Sequence, residues 1–282
     1  MDNINIILKK IDHRIHRNHY LLNGEKAVPG QVNLVWWKKQ VNLGDYLATV
    51  IFQWMLERKH ISSLHVNKTT NLMAVGSLIG MGNFDATIWG SGIHCFGTVK
   101  AVMRHCKYVH YDIRAVRGPV TKEILKAAGY SVENCFEGDP AILMPFIYEE
   151  TNPVKKYDYS LIQHLSTTNN HVEKGLHTIS ISTTNYQHFI SELLASKKVI
   201  SSSLHGIILA ETYGVPAIFL NNGMENELLK YYDWYFSTGR MNVKMANNMQ
   251  EAMQMVPMPL PDITAMQKKL LDSFPYDLFN KK

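Results

Sequence analysis

Three hydroxyls, a histidine and a glycine stand together at Ser201-Ser202-Ser203-Leu204-His205-Gly206, a combination that can hold an anion and move a proton. An imidazole titrates near neutral pH, so it can give or take a proton under working conditions. Residues 199–220 read as a strand, a turn, a helix and a second strand. Residues 198–201 suit a buried strand and the serines break it. A helix over 204–213 then runs apolar at Leu204, Ile207 and Ile208 until Gly214 and Pro216 stop it. Such a turn sets free amides, the positive end of a helix dipole and His205 at the carboxyl end of a parallel strand, where open α/β sheets bind ligands. The alternative reading is a helix cap beside a buried, hydrogen-bonded histidine.

Other candidate residues fall at the ends of other strands. Asn42-Leu43-Gly44-Asp45 follows a strand over 32–37 and precedes a helix with Leu47, Val50, Ile51 and Trp54 on one face. Gly44 permits close backbone approach, and Asp45 either caps the helix or faces a ligand. Gly76-Ser77 ends a strand over 71–75 and Gly90-Ser91-Gly92 ends one over 87–89, small residues that leave room for a ligand. A strand over 111–116 delivers Arg117-Gly118-Pro119 to a helix over 120–128. A guanidinium there can hold a carboxylate or phosphate by two bonds, or else pair at the surface with Glu123 or Glu137. Gly138-Asp139-Pro140 is a turn presenting one carboxylate. His164 interrupts the end of a strand over 159–165, and Arg240 follows the ring-rich segment 231–236, which reads as core rather than ligand platform.

The remaining elements must hold these strand ends together. Alternating strands and helices imply parallel sheets. The first half closes over 136–143, and a polar, proline-bounded stretch over 145–153 reads as a linker, so a boundary near residue 149 gives domains 1–149 and 150–282. The second half adds a strand over 178–181 and a helix over 186–195. Met245, Met249 and Met253 step by four as one helical packing face. Pro257, Pro259 and Pro261 form a stiff connector to a last helix striped by Ile263, Met266, Leu270 and Phe274.

Composition bounds the function. The chain has 282 residues, 46% of them apolar and 19% charged, the profile of a soluble globular protein. A net charge of +5 favours phosphorylated substrates or an anionic membrane surface, and the lack of a concentrated Lys/Arg block argues against nucleic acid. Cys95, Cys106 and Cys135 have no CxxC spacing, so neither a disulfide framework nor a zinc knuckle is indicated and a reducing compartment is expected. No apolar run reaches membrane-spanning length and no signal peptide is evident, which points to the cytoplasm. Residues 1–25 read as a basic amphipathic helix able to dock on the body or lie on a membrane. His13, His16 and His19 within it lack the carboxylate or cysteine that would complete a metal site. Neither GxGxxG nor a P-loop is present.

The motifs together resemble the polysaccharide pyruvyl transferase family: NLGD at 42–45, GSG at 90–92, VRGPVT at 116–121, GDPA at 138–141 and LHGIILAETYGVP at 204–216, in the family order. The resemblance implies an α/β fold of two Rossmann-like domains facing a central cleft, similar to the glycosyltransferase B type. It also implies transfer of pyruvate from phosphoenolpyruvate onto two sugar hydroxyls as a cyclic ketal, in bacterial exopolysaccharide or capsule biosynthesis. No metal and no cofactor are implied beyond phosphoenolpyruvate as co-substrate. The implied acceptor is a sugar of an undecaprenyl-diphosphate-linked oligosaccharide, met at the inner membrane face with peripheral membrane contact. His205, Asp45 and Arg117 take the implied catalytic roles, with Asn42, Gly44, Ser91, Asp139, His164, Ser203, Leu204, Gly206 and Arg240 binding substrate. Where many relatives carry Arg-Leu-His, this chain has Ser203-Leu204-His205, so a cation is missing at the phosphate and Arg240 or Lys230 is expected to replace it. A glycosyltransferase using a nucleotide sugar in the same cleft is the other enzyme reading, and a catalytically silent sugar-binding scaffold is a third.

Overall fold

The computed structural model describes residues 21–64, 66–166, 175–221 and 223–279. The amphipathic segment over residues 1–20, with His13, His16 and His19, lies outside the described residues. Short apolar and β-branched runs form the strands, and both sheets are parallel throughout. The first contains β1 (Val32–Val35), β2 (Thr70–Met73), β3 (Ala86–Trp89), β4 (Tyr111–Val116) and β5 (Phe136–Glu137), in that spatial order. The second orders β10 (Met245–Ala246), β9 (Ala217–Leu220), β8 (Ser196–Ser201), β6 (Tyr157–Ile162) and β7 (His177–Thr178). A parallel sheet needs cover on both faces, and every residue of β3 and of β9 is buried accordingly. In the second sheet the chain leaves β6 for β7 on one side and then crosses to β8 on the other. The carboxyl ends of β6 and β8 therefore flank a switch point, where such sheets bind ligands.

Eight α-helices among the described residues cover the sheets: α1 (Leu43–Glu57), α2 (Phe96–His105), α3 (Pro119–Ala127), α4 (Tyr186–Leu194), α5 (Leu204–Thr212), α6 (Leu228–Ser237), α7 (Met249–Gln254) and α8 (Thr264–Ser273). α1 buries Leu43, Leu47, Ile51 and Met55 at four-residue steps. α5 has apolar residues on every side and is buried from Leu204 through Glu211, as a central helix is. Both α1 and α5 pack on the 3-10 helix Pro140–Phe146, which overlaps the start of the stretch expected to be a linker. One apolar cluster runs from Leu47 and Ile51 through Ile142 and Leu143 to Ile207 and Ile208. α8 returns to the first sheet: the Trp89 indole N–H donates to the Leu270 carbonyl at 3.1 Å, and Phe274 meets the Trp89 ring edge-on at 4.8 Å.

Met245 departs from the expected methionine helix. Met245 and Ala246 instead pair with Phe219 and Leu220 as an edge strand, and the helix begins only at Met249. Asn248 breaks the pattern, because its side chain accepts the Glu251 amide and caps α7. Among the described residues no helix is long and apolar enough to cross a membrane.

Candidate active site

A cavity of about 340 Å³ is lined by loops that each follow the carboxyl end of a strand. Asn42, Asp45, Ser77 and His94 come from the first half, and His164, Ser203, Leu204, His205, Glu227 and Lys230 from the second. The serines at the end of β8 hold the backbone there, and Ser203 lines the cavity. Ser201 Oγ donates to the Ile162 carbonyl at 3.0 Å and accepts the Ser203 amide at 3.0 Å, tying the ends of β6 and β8 together. Ser202 Oγ accepts the His164 amide at 2.9 Å, and Ser203 Oγ faces the Gly206 amide at 3.4 Å as the cap of α5. Gly206 is buried because a Cβ there would press on Ser201 Oγ and Ile162, so it lets α5 seat on the strand end.

α5 thereby brings His205, only 8% exposed, to the cavity wall. Its Nε2 points inward, 3.6 Å from Asp139 Oδ2. Its Nδ1 lies beside Gly44, where a Cβ would overlap the ring. Asn42 caps α1 by accepting the Gly44 amide at 3.0 Å, and this fixes the backbone against which the imidazole packs. Glycine is needed at position 44 for space rather than for its own dihedral freedom.

Asp45, one residue on, has its carboxyl pushed up to about 6 by burial, with His205, Lys230 and His94 pulling the other way. Because the folded value lies above the ordinary 3.8, the native state holds the extra proton between about pH 4 and 6. Stability therefore falls as pH rises through that window and the whole penalty is present above it, up to about 3 kcal/mol. Asp45→Asn is accordingly expected to raise the melting temperature at pH 7.5 by several degrees, with the gain vanishing toward pH 4, while activity falls. Thermal melts across that pH range would reveal this; a variant less stable at pH 7.5 would contradict it.

The opposite wall is a chain of charged and imidazole groups. Lys230, 4% exposed, donates to the Glu227 carboxylate and approaches His164 Nε2 at 3.3 Å. His94 Nε2 lies 3.2 Å from the same Glu227 oxygen. The ammonium donates toward His164 Nε2, and His164 Nδ1 faces Ser166 Oγ at 2.7 Å and the Ser166 amide at 3.3 Å. Burial and the neighbouring Lys230 lower His164 to about 4, keeping it neutral. Burial also lowers Lys230, against the pull of Glu227. Glu227 is held well below the usual carboxylate range: burial opposes this, but the His94 bond and the Lys230 charge outweigh it.

Six of the expected site residues do not line the cavity: Gly44 and Gly206, which seat the helices around it, and Arg117, Ser91, Asp139 and Arg240. Arg117 is fully buried beneath the cavity: Nε meets Asp233 Oδ2 at 3.1 Å, one terminal nitrogen donates to Ser77 Oγ at 2.6 Å and the other to the Ile93 carbonyl at 2.8 Å. It supports the wall through Ser77 instead of reaching into the cavity. Ser91 is also sealed, its hydroxyl donating to the Gly76 carbonyl at 2.9 Å and accepting the Leu78 amide at 3.2 Å. Asp139 lies behind His205, with Oδ1 accepting the Ala141 amide at 2.9 Å. Arg240 stacks on Tyr235 and forks onto Glu211, whose carboxylate also accepts the Trp234 indole N–H, so it is part of the core and not a phosphate ligand. Of the two cations considered in place of the missing family arginine, the cavity contains Lys230.

His94, Glu227 and Trp37 were not anticipated. His94 had a usable signal, since it follows the Gly90-Ser91-Gly92 strand end by two residues. Glu227 and Lys230 are three apart at the start of α6, a spacing that also occurs in ordinary surface pairs.

The family model described as polysaccharide pyruvyl transferase matches residues 42–223. The uncharacterized protein L143 of Acanthamoeba polyphaga mimivirus is 27% identical over 218 residues, covering 72% of this chain and 73% of that protein. A crystal structure of a functionally uncharacterized Klebsiella pneumoniae protein, KP1_0663, is 19% identical with a TM-score of 0.45, covering 84% of this chain and 94% of that one.

Proposed function

The chain belongs to the polysaccharide pyruvyl transferase family, and from that premise we propose that it moves pyruvate from phosphoenolpyruvate onto two hydroxyls of a sugar in a glycan, closing a cyclic ketal. The observation that carries this reading is the union, in one cavity, of a proton-transfer pair with a cation. His205 and Asp45 stand on one side and Lys230 on the other. In this reading the two parallel sheets are the two Rossmann-like halves of a glycosyltransferase B-like cleft, with the boundary near residue 149.

The donor carries a phosphate and a carboxylate. Lys230, with the first turn of α5 opposite, offers charge and amides for one of them. Asp45 has a carboxyl value near 6 that suits a proton donor to the methylene carbon, and His205 suits the base for a sugar hydroxyl. Protonation turns the methylene into a methyl group and leaves a cationic carbon. The first hydroxyl adds there and loses its proton to His205. The second hydroxyl then displaces phosphate, as the bond between that carbon and the bridging phosphate oxygen breaks. One hydroxyl proton balances the methyl group and the other leaves with phosphate.

The test is incubation with phosphoenolpyruvate and a panel of short glycans, free and lipid-linked, following phosphate release and a product heavier by one pyruvyl ketal. Nucleotide release from a nucleotide sugar, with no ketal, would instead identify a glycosyltransferase. Lys230→Met is expected to raise KM for phosphoenolpyruvate by about 10- to 100-fold, the loss of one charge-assisted bond. Arg240→Met should lower the melting temperature and leave that KM within about twofold, since its partner is a core carboxylate. A larger donor effect at Arg240 than at Lys230 would reverse the assignment.

A further inference from the structure

Two buried atoms that face each other lack hydrogen-bond partners: His205 Nε2 and Asp139 Oδ2. They are 3.6 Å apart, a few tenths of an ångström beyond a hydrogen bond. Leaving either unpaired is costly, and each can supply what the other lacks, an N–H donor and a carboxylate acceptor. Catalytic bonds of this kind are often long before substrate binds. Asp139 cannot easily turn away, because its other oxygen caps the 3-10 helix Pro140–Phe146 through the Ala141 amide. Pro140 itself packs against Gly90, whose φ of +90° and lack of a Cβ make room for it.

We infer that Asp139 is a positioning residue that keeps the His205 proton on Nε2, so that Nδ1, the nitrogen beside Gly44, is left free as the base. The inference rests on His205 moving protons in the proposed reaction. The other titratable groups around the ring are Asp45 from α1, His164 from the loop after β6, and Lys230 and Glu227 at the start of α6, with His94 beyond them; all line the cavity. Asp139 alone approaches from the protein interior. When Nδ1 takes a proton, the carboxylate behind the ring balances the new charge. In Ser-His-Asp hydrolases the same arrangement sets the tautomer, and exchanging the aspartate for asparagine leaves the geometry intact but puts the proton on the wrong nitrogen.

Asp139→Asn isolates this role, since an amide oxygen can keep the Ala141 cap while the charge disappears. The expected result is a melting temperature within about 3 °C of the parent and a kcat lower by roughly 100- to 1,000-fold. Donor KM should change by less than about threefold, and the shape of the pH–rate profile should differ from the parent's. The double variant His205→Ala/Asp139→Asn should be no slower than His205→Ala alone, because the two act as a unit. A normal profile in Asp139→Asn, or penalties that simply add, would overturn the inference.

Ring ¹⁵N shifts of His205 in the unsubstituted protein give a reading that needs neither variant nor substrate. The expected state is Nε2-protonated, and an Nδ1-protonated ring rules out the proposal even if Asp139→Asn fails to fold. Absence of any ketal product, with the Nε2 tautomer observed, would count against the proposed reaction and leave Asp139 only as the group that sets the His205 tautomer.

Discussion

His205→Ala is expected to reduce kcat for ketal formation by about 100- to 10,000-fold, the range over which a positioned acid–base group acts. The side chain is 8% exposed and sits at the cavity wall, so water can fill the space its removal leaves and the fold should survive. Gly44→Ala probes the same ring without substituting the histidine. A Cβ at position 44 would overlap the imidazole, and the backbone there is held by the Asn42 cap, so the ring must move. A misplaced base costs rate even when chemically intact, so Gly44→Ala should lose on the order of 100-fold while donor binding persists. Phosphate release from phosphoenolpyruvate in the presence of acceptor measures both variants. Full-rate turnover by His205→Ala would remove the proton-transfer role, and normal turnover by Gly44→Ala would mean that ring placement is not limiting.

The parts of this arrangement that are local in sequence were readable in advance. The alternation of apolar strands with helices dictates two parallel sheets, and loops after strands are where their ligands sit, which is why Asn42, Asp45, His164, Ser203 and His205 were found together. What could not be read was pairing across long separations. Nothing near Arg117 says that its partner is Asp233, 116 residues away, and without that partner a guanidinium at a strand end looks free for substrate. Arg240 misleads for the same reason, since its partner Glu211 lies 29 residues away in the last turn of a largely apolar helix. Met245 fits a helical stripe by spacing, yet edge pairing with Phe219 prevails over a periodicity that Asn248 interrupts. α2 gave no clear signal because only Val102 is buried along it.

The VRGPVT motif now has a structural account that predicts a large loss of stability. Asp233 from α6 reaches the start of α3, where Gly118 supplies no side-chain cap. Its Oδ1 accepts the Thr121 amide at 2.9 Å, and Oδ2 accepts the Thr121 hydroxyl at 2.7 Å and Arg117 Nε at 3.1 Å. A Cβ at Gly118 would strike the Asp233 backbone, so glycine permits the approach, and Pro119 fits the first helical turn. Arg117 and Asp233 are each 0% exposed. Removing one partner strands the other charge in the interior, so Asp233→Ala should destabilise the fold by about 3–5 kcal/mol. In a chain of this size that is a fall in melting temperature of roughly 6–20 °C. Replacing both, as Arg117→Met/Asp233→Leu, removes the stranded charge and should recover much of the loss, since an apolar pair often substitutes for a buried ion pair. Ser77 and Ile93 lose their guanidinium contact in that double variant. The cavity wall carrying Ser77 and His94 should then loosen, and donor KM should rise even though stability returns. Denaturant unfolding of the single and double variants measures the coupling. If the two penalties add without recovery, the pair contributes no more than its separate contacts, and Arg117 is no longer explained as the support beneath the site.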